Sequence, residues 1–423
     1  MTPAARLAAA IEVLIDVEAR HRPAAAALKD WGVSHRFAGS KDRAVIGNIV
    51  YDTLRWRASS AWAMDADTPR ALVLGTAGRR WGYGGLGLRE LFAGDRHAPE
   101  PISEAEVTAI DGADLETAPP HVRADVPEWL APQFAAAFGD DWVAEGAALA
   151  ERPPLDVRVN SLKADREKVA KALARYQVQQ TAHAPSGLRI APTERDGRHP
   201  NLQVEPGFQK GWFEIQDEGS QLASGFVAAK PGEQILDLCA GAGGKTLALA
   251  AAMANKGQVF ATDSDRSRLA PIFDRLKRAG TRNVQVRPAG ADLTDLTGRM
   301  DAVLIDVPCT GTGVWRRRPD AKWRLREHAL QQRIKEQAAL LDDAVRYLKP
   351  GGRLVYVTCS VLPVENDRQV EAFLERRAGA VSLPADILAP ALGTAVYRSA
   401  TGVALTPLRT GTDGFFVSVV EKV

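Results

Sequence analysis

Two of the chain's three cysteines stand where a thiol can do chemistry. Cys309 closes Asp306-Val307-Pro308-Cys309, directly after the apolar stretch AVLI, and Cys359 sits in Thr358-Cys359-Ser360, directly after LVYV. Each apolar stretch reads as a strand, and each cysteine falls where that strand must stop. Pro308 cannot continue a ladder, and TCS replaces branched apolar residues with polar ones. Ligands bind at the carboxyl ends of the strands of a parallel sheet, so two thiols there, on strands expected to be neighbours, point to nucleophilic chemistry. An isolated cysteine is most often a small buried hydrophobe; the turn positions weigh against that reading here. A zinc site is not expected, because no His or further Cys accompanies the pair at ligand spacing.

A third stretch supplies a ligand loop. QILDLCAGAGGKT runs from an apolar strand ending near Asp237 through Cys239, Ala240, Gly241, Ala242, Gly243, Gly244 and Lys245 into an alanine-leucine helix. That is strand, glycine turn, helix, with Cys239 lining the turn. A phosphate-binding loop would need glycine where Cys239 stands, and a dinucleotide fingerprint would need it where Thr246 stands. What is left is a G-x-G turn followed by a second strand, QVFATD, whose terminal Asp263 can accept hydrogen bonds from both ribose hydroxyls of an adenosine-containing ligand.

Stepping from these residues to the elements that must hold them, the segments from the glycine turn onward alternate regularly. Strand QVFATD, helix DRSRLAPIFDRLKRAG, strands NVQVRP and DAVLIDVP, a long helix from about 326 to 348, strand GRLVYVTCS, helix VENDRQVEAFLERRA and a late strand FFVSVV follow one another. Such alternation predicts a doubly wound α/β sheet with helices on both faces. Before it, residues 1–120 read as a helical bundle and linker. Leu7, Ile11 and Leu14, and later Val45, Ile46, Ile49, Val50 and Leu54, keep helical spacing, and Ser103 opens a capping box in SEAE. Residues 121–206 alternate helices and strands over a short length and read as a compact α+β domain, leaving 207–423 for the ligand-binding domain.

Composition excludes several classes. Over 423 residues, 45% are hydrophobic and 25% charged, as in an ordinary soluble protein, and no apolar run approaches a membrane span. The first residues read as an amphipathic helix and not as an export signal, and three cysteines suit a reducing cytosol, so a cytoplasmic monomer is expected. A net charge of +2 diagnoses no polyanionic partner, so a nucleic-acid case rests on local clustering. Between the two cysteines, GVWRRRPDAKWRLREH interleaves Arg316, Arg317, Arg318, Lys322, Arg324 and Arg326 with Trp315 and Trp323. A run of this kind is commonly only a solvated face; beside Cys309 it reads as phosphate contacts with stacking faces for unpaired RNA.

QDEGSQ (216–221), DLCAGAGGKT, DVPCTGTGVWRRRPDAKWR, YVTCSVLPVEN and the closing DGFF together resemble the RNA cytosine-C5 methyltransferases of the Sun/Fmu group, and with the helical N-terminus the chain resembles the RsmB branch. The family loop reads CAAPGGKT; this chain has Gly241 and Ala242 where the family has Ala and Pro. The resemblance implies a Rossmann-like class I methyltransferase domain with an antiparallel last strand, an N-terminal NusB-like RNA-binding domain (DRAVIGNIVYDTLRW), S-adenosylmethionine as cofactor, and small-subunit ribosomal RNA as partner. It further implies Cys359 as nucleophile and Cys309 as the residue aiding product release. Cys239 to Lys245 would hold the methionine part of the cofactor, Asp263 the ribose, Asp306 the region near the methyl, and Asp292 or Asp295 the adenine. The chemistry requires a thiolate at C6 of the pyrimidine, because C5 alone is a poor nucleophile, and Lys245 together with the cationic cofactor is expected to favour that thiolate. Asp306 is the expected hydrogen-bond donor to cytosine N3. Two other readings stay open: a methyltransferase for DNA or another acceptor with Cys309 as nucleophile, and a non-catalytic RNA-binding assembly factor.

Overall fold

The computed structural model describes residues 1–377, 379–383, 392 and 395–422. The chain divides into two compact units. One comprises Met1–Pro153, Pro192–His199 and Trp315–Leu325; the other comprises Pro154–Ala191, Pro200–Val314 and Arg326–Val423.

The first unit is helical. Helix Pro3–Ala19 buries Leu7, Val13, Leu14 and Val17 on one face, and Ser40–Arg55 buries Val45, Ile46, Ile49, Val50 and Leu54, as their spacing requires. Ser103 and Glu106 form the expected capping box. The unit extends past the expected boundary at 120, because helices Ala131–Phe138 and Trp142–Ala150 belong to it.

The basic, aromatic run also belongs to this unit, which corrects its reading as an RNA grip. Trp315 is 1% exposed and stacks on Phe134 with ring centroids 5.8 Å apart. Lys322 is 2% exposed; its Nζ donates to the carbonyls of Arg55 (2.9 Å) and Asp125 (2.6 Å), and burial lowers its pKa to about 8. Trp323 Nε1 donates to the Leu54 carbonyl at 2.6 Å, and Arg316, itself buried, accepts at its carbonyl from Arg55. Aromatic faces used in packing and an ammonium spent on two carbonyls are not available to a nucleic acid. Arg318, Arg324 and Arg326 stay exposed.

The second unit holds two sheets. The smaller has strands β1 (Leu155–Val159), β2 (Gln179–Gln180), β3 (Gly187–Ile190) and β4 (Phe213–Ile215) in the order β2-β3-β1-β4, all antiparallel. Val157, Val159, Leu188 and Phe213 form its core with Val169 from helix Arg166–Ala172. Phe213–Ile215, expected to open the ligand-binding domain, instead pairs with β1 and completes this sheet.

The larger sheet is built from β5 (Gln234–Asp237), β6 (Gln258–Ala261), β7 (Val284–Val286), β8 (Met300–Asp306), β9 (Leu348–Thr358), β10 (Ala380–Ser382), β11 (Tyr397–Arg398), β12 (Val403–Leu405) and β13 (Phe415–Lys422). Its order is β11-β12-β13-β9-β8-β5-β6-β7, with β10 on β13. Strands β5 to β9 pair in parallel, whereas β13 runs antiparallel to β9. This is the doubly wound, Rossmann-like sheet with an antiparallel last strand. Ile235, Leu236, Val303, Leu304, Val355 and Val357 are fully buried, as strands covered on both faces must be. After β7 the chain crosses back to place β8 on the other side of β5, and that reversal opens a crevice at the carboxyl ends of the two strands. Helix DRSRLAPIFDRLKRAG is split into Arg266–Leu269 and Ile272–Ala279 around Pro271, which lacks the N–H to continue it. The long helix spans Glu327–Ala344, and the next ends at Arg376; the last residue assigned to it from sequence, Ala378, lies outside the described residues. No described helix is long and apolar enough to cross a membrane.

Candidate active site

The glycine turn follows β5 and is held from several sides. Gly241 and Gly243 have φ of 50° and 84°, in the left-handed region that glycine enters at little cost, and a Cβ on Gly243 would lie 2.5 Å from Ile272 Cγ1. Asp263, 2% exposed at the end of β6, accepts from the Gly241 amide at 2.9 Å through Oδ2 and from the Asp265 amide at 2.9 Å through Oδ1. Arg275 donates to the Ala242 carbonyl (2.9 Å), and Arg158, reaching from β1, donates to the Gly244 carbonyl (2.9 Å). Burial lowers the Arg158 guanidinium to about 10. Beneath the turn, buried Asp237 accepts from Thr246 Oγ1 at 2.6 Å, and desolvation raises its pKa to about 7. Burial, then the charges of Asp237, Asp306 and Asp263, push the Cys239 thiol well up. That sulfur lines the turn as a neutral thiol.

The other two thiols meet. Strands β8 and β9 pair with Asp306 opposite Val357, and the chains leaving them bring Cys309 Sγ to 3.3 Å from Cys359 Sγ, both half-buried and neither in a disulfide. Beside them on β8, Asp306 Oδ2 accepts from Lys245 Nζ at 2.6 Å, and the same ammonium lies 5.4 Å from the Phe415 ring centroid. The hydrogen bond to Cys359, burial, and the charges of Cys359 and Glu365 raise the Cys309 thiol far above its ordinary range. Two close thiols of this kind ionise one at a time.

Glu365, 0% exposed, ties both cysteine loops together. It accepts from the Thr310 amide (2.9 Å) and hydroxyl, from the Ser360 hydroxyl, and from Gln337 Nε2 (2.9 Å). The backbone beyond Cys309 is equally constrained. The Gly313 amide donates to the Cys359 carbonyl (2.9 Å), Gly414 donates to the Gly313 carbonyl (2.8 Å), and a Cβ on Gly313 would lie 2.1 Å from Gly414 O. Asp217 accepts from the Gly219 and Asp413 amides, which joins QDEGS to DGFF.

The residues singled out from sequence divide into two sets. Cys309 meets Cys359, Asp306 at the end of β8 meets Lys245, and Cys239 to Gly244 with Asp263 form one turn. Asp292 is exposed and accepts from the amide and hydroxyl of Thr294, while Asp295 pairs with Arg287. Among the described residues, these hydrogen bonds and this ion pair lie within the loop after β7. Lys245 is committed to Asp306, so its charge is partly neutralised, and Asp306 accepts in that pair. Sequence reasoning missed Arg158, Gln337 and Glu365. Only Glu365 carried a signal, as an acid shortly after Cys359 in VLPVEN.

Residues 225–421 match the family model for 16S rRNA methyltransferase RsmB/F, and residues 126–193 match the ferredoxin-like domain of RsmF/B-like methyltransferases. These two domains belong to the RsmB/F methyltransferase family. It is similar to ribosomal RNA small subunit methyltransferase B of Enterobacter sp. (strain 638), 35% identical over 300 residues, which cover 70% of this chain and 66% of that one. It is also similar to the same-named protein of Escherichia coli O17:K52:H18 (strain UMN026 / ExPEC), 36% identical over 258 residues, 60% of this chain and 58% of that one. The chain therefore spans somewhat under two thirds of the length of these curated relatives. Among solved structures it is similar to PH0851 (TM-score 0.73, 25% identity, 100% of this chain and 99% of that one) and to a methyltransferase homolog protein from Pyrococcus horikoshii (TM-score 0.60, 26% identity, 72% and 98%). The RsmB/F methyltransferases use S-adenosylmethionine. The donor set fits that group: buried carboxylate and left-handed glycine backbone at the ends of β5 and β6 suit a ribose diol and an ammonium, both donors.

Proposed function

We propose that the protein methylates C5 of a cytosine in RNA, with small-subunit ribosomal RNA as substrate and Cys359 as the attacking sulfur. The observation that carries this reading is the 3.3 Å approach of Cys309 and Cys359 at the ends of adjacent parallel strands, one strand from the glycine turn. Cys239 to Lys245 and Asp263 would hold S-adenosylmethionine, with Asp292 or Asp295 toward the adenine and Asp306 near the reacting end. Bound there, the cofactor supplies an electrophilic methyl group.

Cys359 thiolate adds to C6 of the pyrimidine, and the ring electrons shift so that C5 becomes enamine-like. Lys245, donor of the Lys245–Asp306 pair, would stabilise the charge that builds on the ring, with Asp306 orienting it. Once C5 is methylated, its proton leaves to a base, the double bond re-forms and the Cys359–C6 bond breaks. Cys309, kept neutral, would aid release by donating an S–H hydrogen bond to the departing sulfur. The target base must leave its stack to reach these thiols, which favours loop or partly unfolded RNA. A ribosomal RNA substrate would put its site of action in the cytoplasm.

The test is methyl transfer and adduct formation on ribosomal RNA with full-length variants. Cys359→Ala is expected to abolish both, and Cys309→Ala to accumulate RNA covalently attached to protein. Cofactor binding by the wild type without methyl transfer to any RNA would overturn the reading in favour of an assembly factor.

A further inference from the structure

We infer that Glu365 is a positioning residue of the thiol pair: it holds the chain on both flanks of Cys309 and disfavours a negative charge on that sulfur. This rests on the proposed role of Cys359.

The geometry is asymmetric. Glu365 grips the chain on both flanks of Cys309, directly at the Thr310 amide and hydroxyl, and through Gln337, whose Nε2 donates both to Glu365 Oε1 (2.9 Å) and to the Pro308 carbonyl (3.0 Å). At Cys359 it reaches only the hydroxyl of the following Ser360. Among the described residues, the four hydrogen bonds to its carboxylate come from neutral groups, and no cation pairs with it. In a low-dielectric interior such a charge acts strongly on its neighbours and disfavours a second anion beside it.

Among the described residues, the titratable groups around Cys309 are Cys359, just beyond β9, Tyr356 on β9, Glu365 from the turn that follows, and the Asp306–Lys245 ion pair at the end of β8; helix Glu327–Ala344 presents the uncharged Gln337. Tyr356 donates to the Glu365 carbonyl at 2.6 Å and is itself pushed up by burial and then by Glu365, so it stays a neutral donor. Cys309 is raised by its bond to Cys359, by burial, and by the charges of Cys359 and Glu365, in that order. At a separation of 3.3 Å the neutral Cys309 can donate an S–H hydrogen bond to the Cys359 thiolate, and the same hydrogen bond stabilises that sulfur when it is expelled from the ring.

The hydrogen-bond pattern provides a clean variant. Oε1 accepts from two N–H groups that can only donate, whereas Oε2 accepts from two hydroxyls that can turn and accept instead. Glu365→Gln can therefore keep every partner while removing the charge. The experiment is the pH dependence of iodoacetamide alkylation at each cysteine of the full chain, read by peptide mass spectrometry. In the wild type Cys359 is expected to react ahead of Cys309 across neutral pH, since the thiolate is the reacting form. In Glu365→Gln with an unchanged melting midpoint, the Cys309 midpoint should fall by about one pH unit, raising its alkylation near neutrality about tenfold. Wild-type Cys309 reacting first, or a folded Glu365→Gln variant with an unmoved Cys309 midpoint, overturns the inference. The wild-type order needs no variant to fold. Alkylation needs no RNA, so an absence of methyl transfer with this alkylation pattern intact would count against the proposed function and not against Glu365.

Discussion

Cys309 and Trp315 are six positions apart, yet their surroundings have little in common. At Cys309 the chain is fixed by polar contacts: Glu365 and Gln337 hold the backbone on either side while the sulfur stays half-buried beside a second thiol. At Trp315 it is fixed by packing, with the indole against Phe134 and Lys322 anchored on two carbonyls. From sequence both looked functional, one as nucleophile and one as RNA grip. The difference teaches that residue type and spacing locate a strand end well, whereas whether an aromatic, basic segment faces solvent is decided by what folds over it. A polar network leaves a reactive group accessible, and apolar packing does not.

The sharpest way to break this comparison is Trp315→Ala. Removing a fully buried indole should cost about 3–5 kcal/mol in urea unfolding of the full chain, with alkylation of Cys359 unaltered in the folded protein. A stable variant with lost RNA binding would restore the stacking reading. Gly313→Ala tests the other side. Its Cβ meets the Gly414 carbonyl, so the strain should cost about 1–3 kcal/mol and also displace the Cys359 carbonyl contact, lowering methyl transfer far more than Trp315→Ala does at equal folded fraction. A smaller effect is expected beneath the glycine turn. Asp237 titrates near 7 when folded and near 4 when unfolded, so the native state binds the extra proton and stability should fall as pH rises from about 4 to about 7. Urea midpoints across that window should show a shallower decline in Asp237→Asn; an unchanged slope would mean Asp237 is ionised in the fold.

Much of this architecture was legible in the chain. The apolar runs before Asp237, Asp306 and Thr358 mark strands covered on both faces, and glycine, proline and polar residues end them by local chemistry that needs no tertiary knowledge. Hence the turn, Asp263, Cys309 and Cys359 could be placed at one edge of a sheet. Other features depend on partners distant in sequence. Phe213–Ile215 is a short apolar strand like many others, and only its pairing with β1 shows which sheet it joins. Arg158 lies on β1 and shows its use only where it meets the Gly244 carbonyl. Gln337 is one uncharged residue on a long polar helix, and Glu365 gains significance from the loops it joins. Pro271 was visible, but its effect on the helix was under-weighted.

The central claim, that Cys359 bonds to the base while Cys309 keeps the proton, is tested most directly by digesting the RNA–protein adduct of Cys309→Ala and mapping the linked peptide. The account predicts a nucleotide attached at Cys359, with no adduct in Cys359→Ala. An adduct that persists in Cys359→Ala and maps to Cys309 would contradict it.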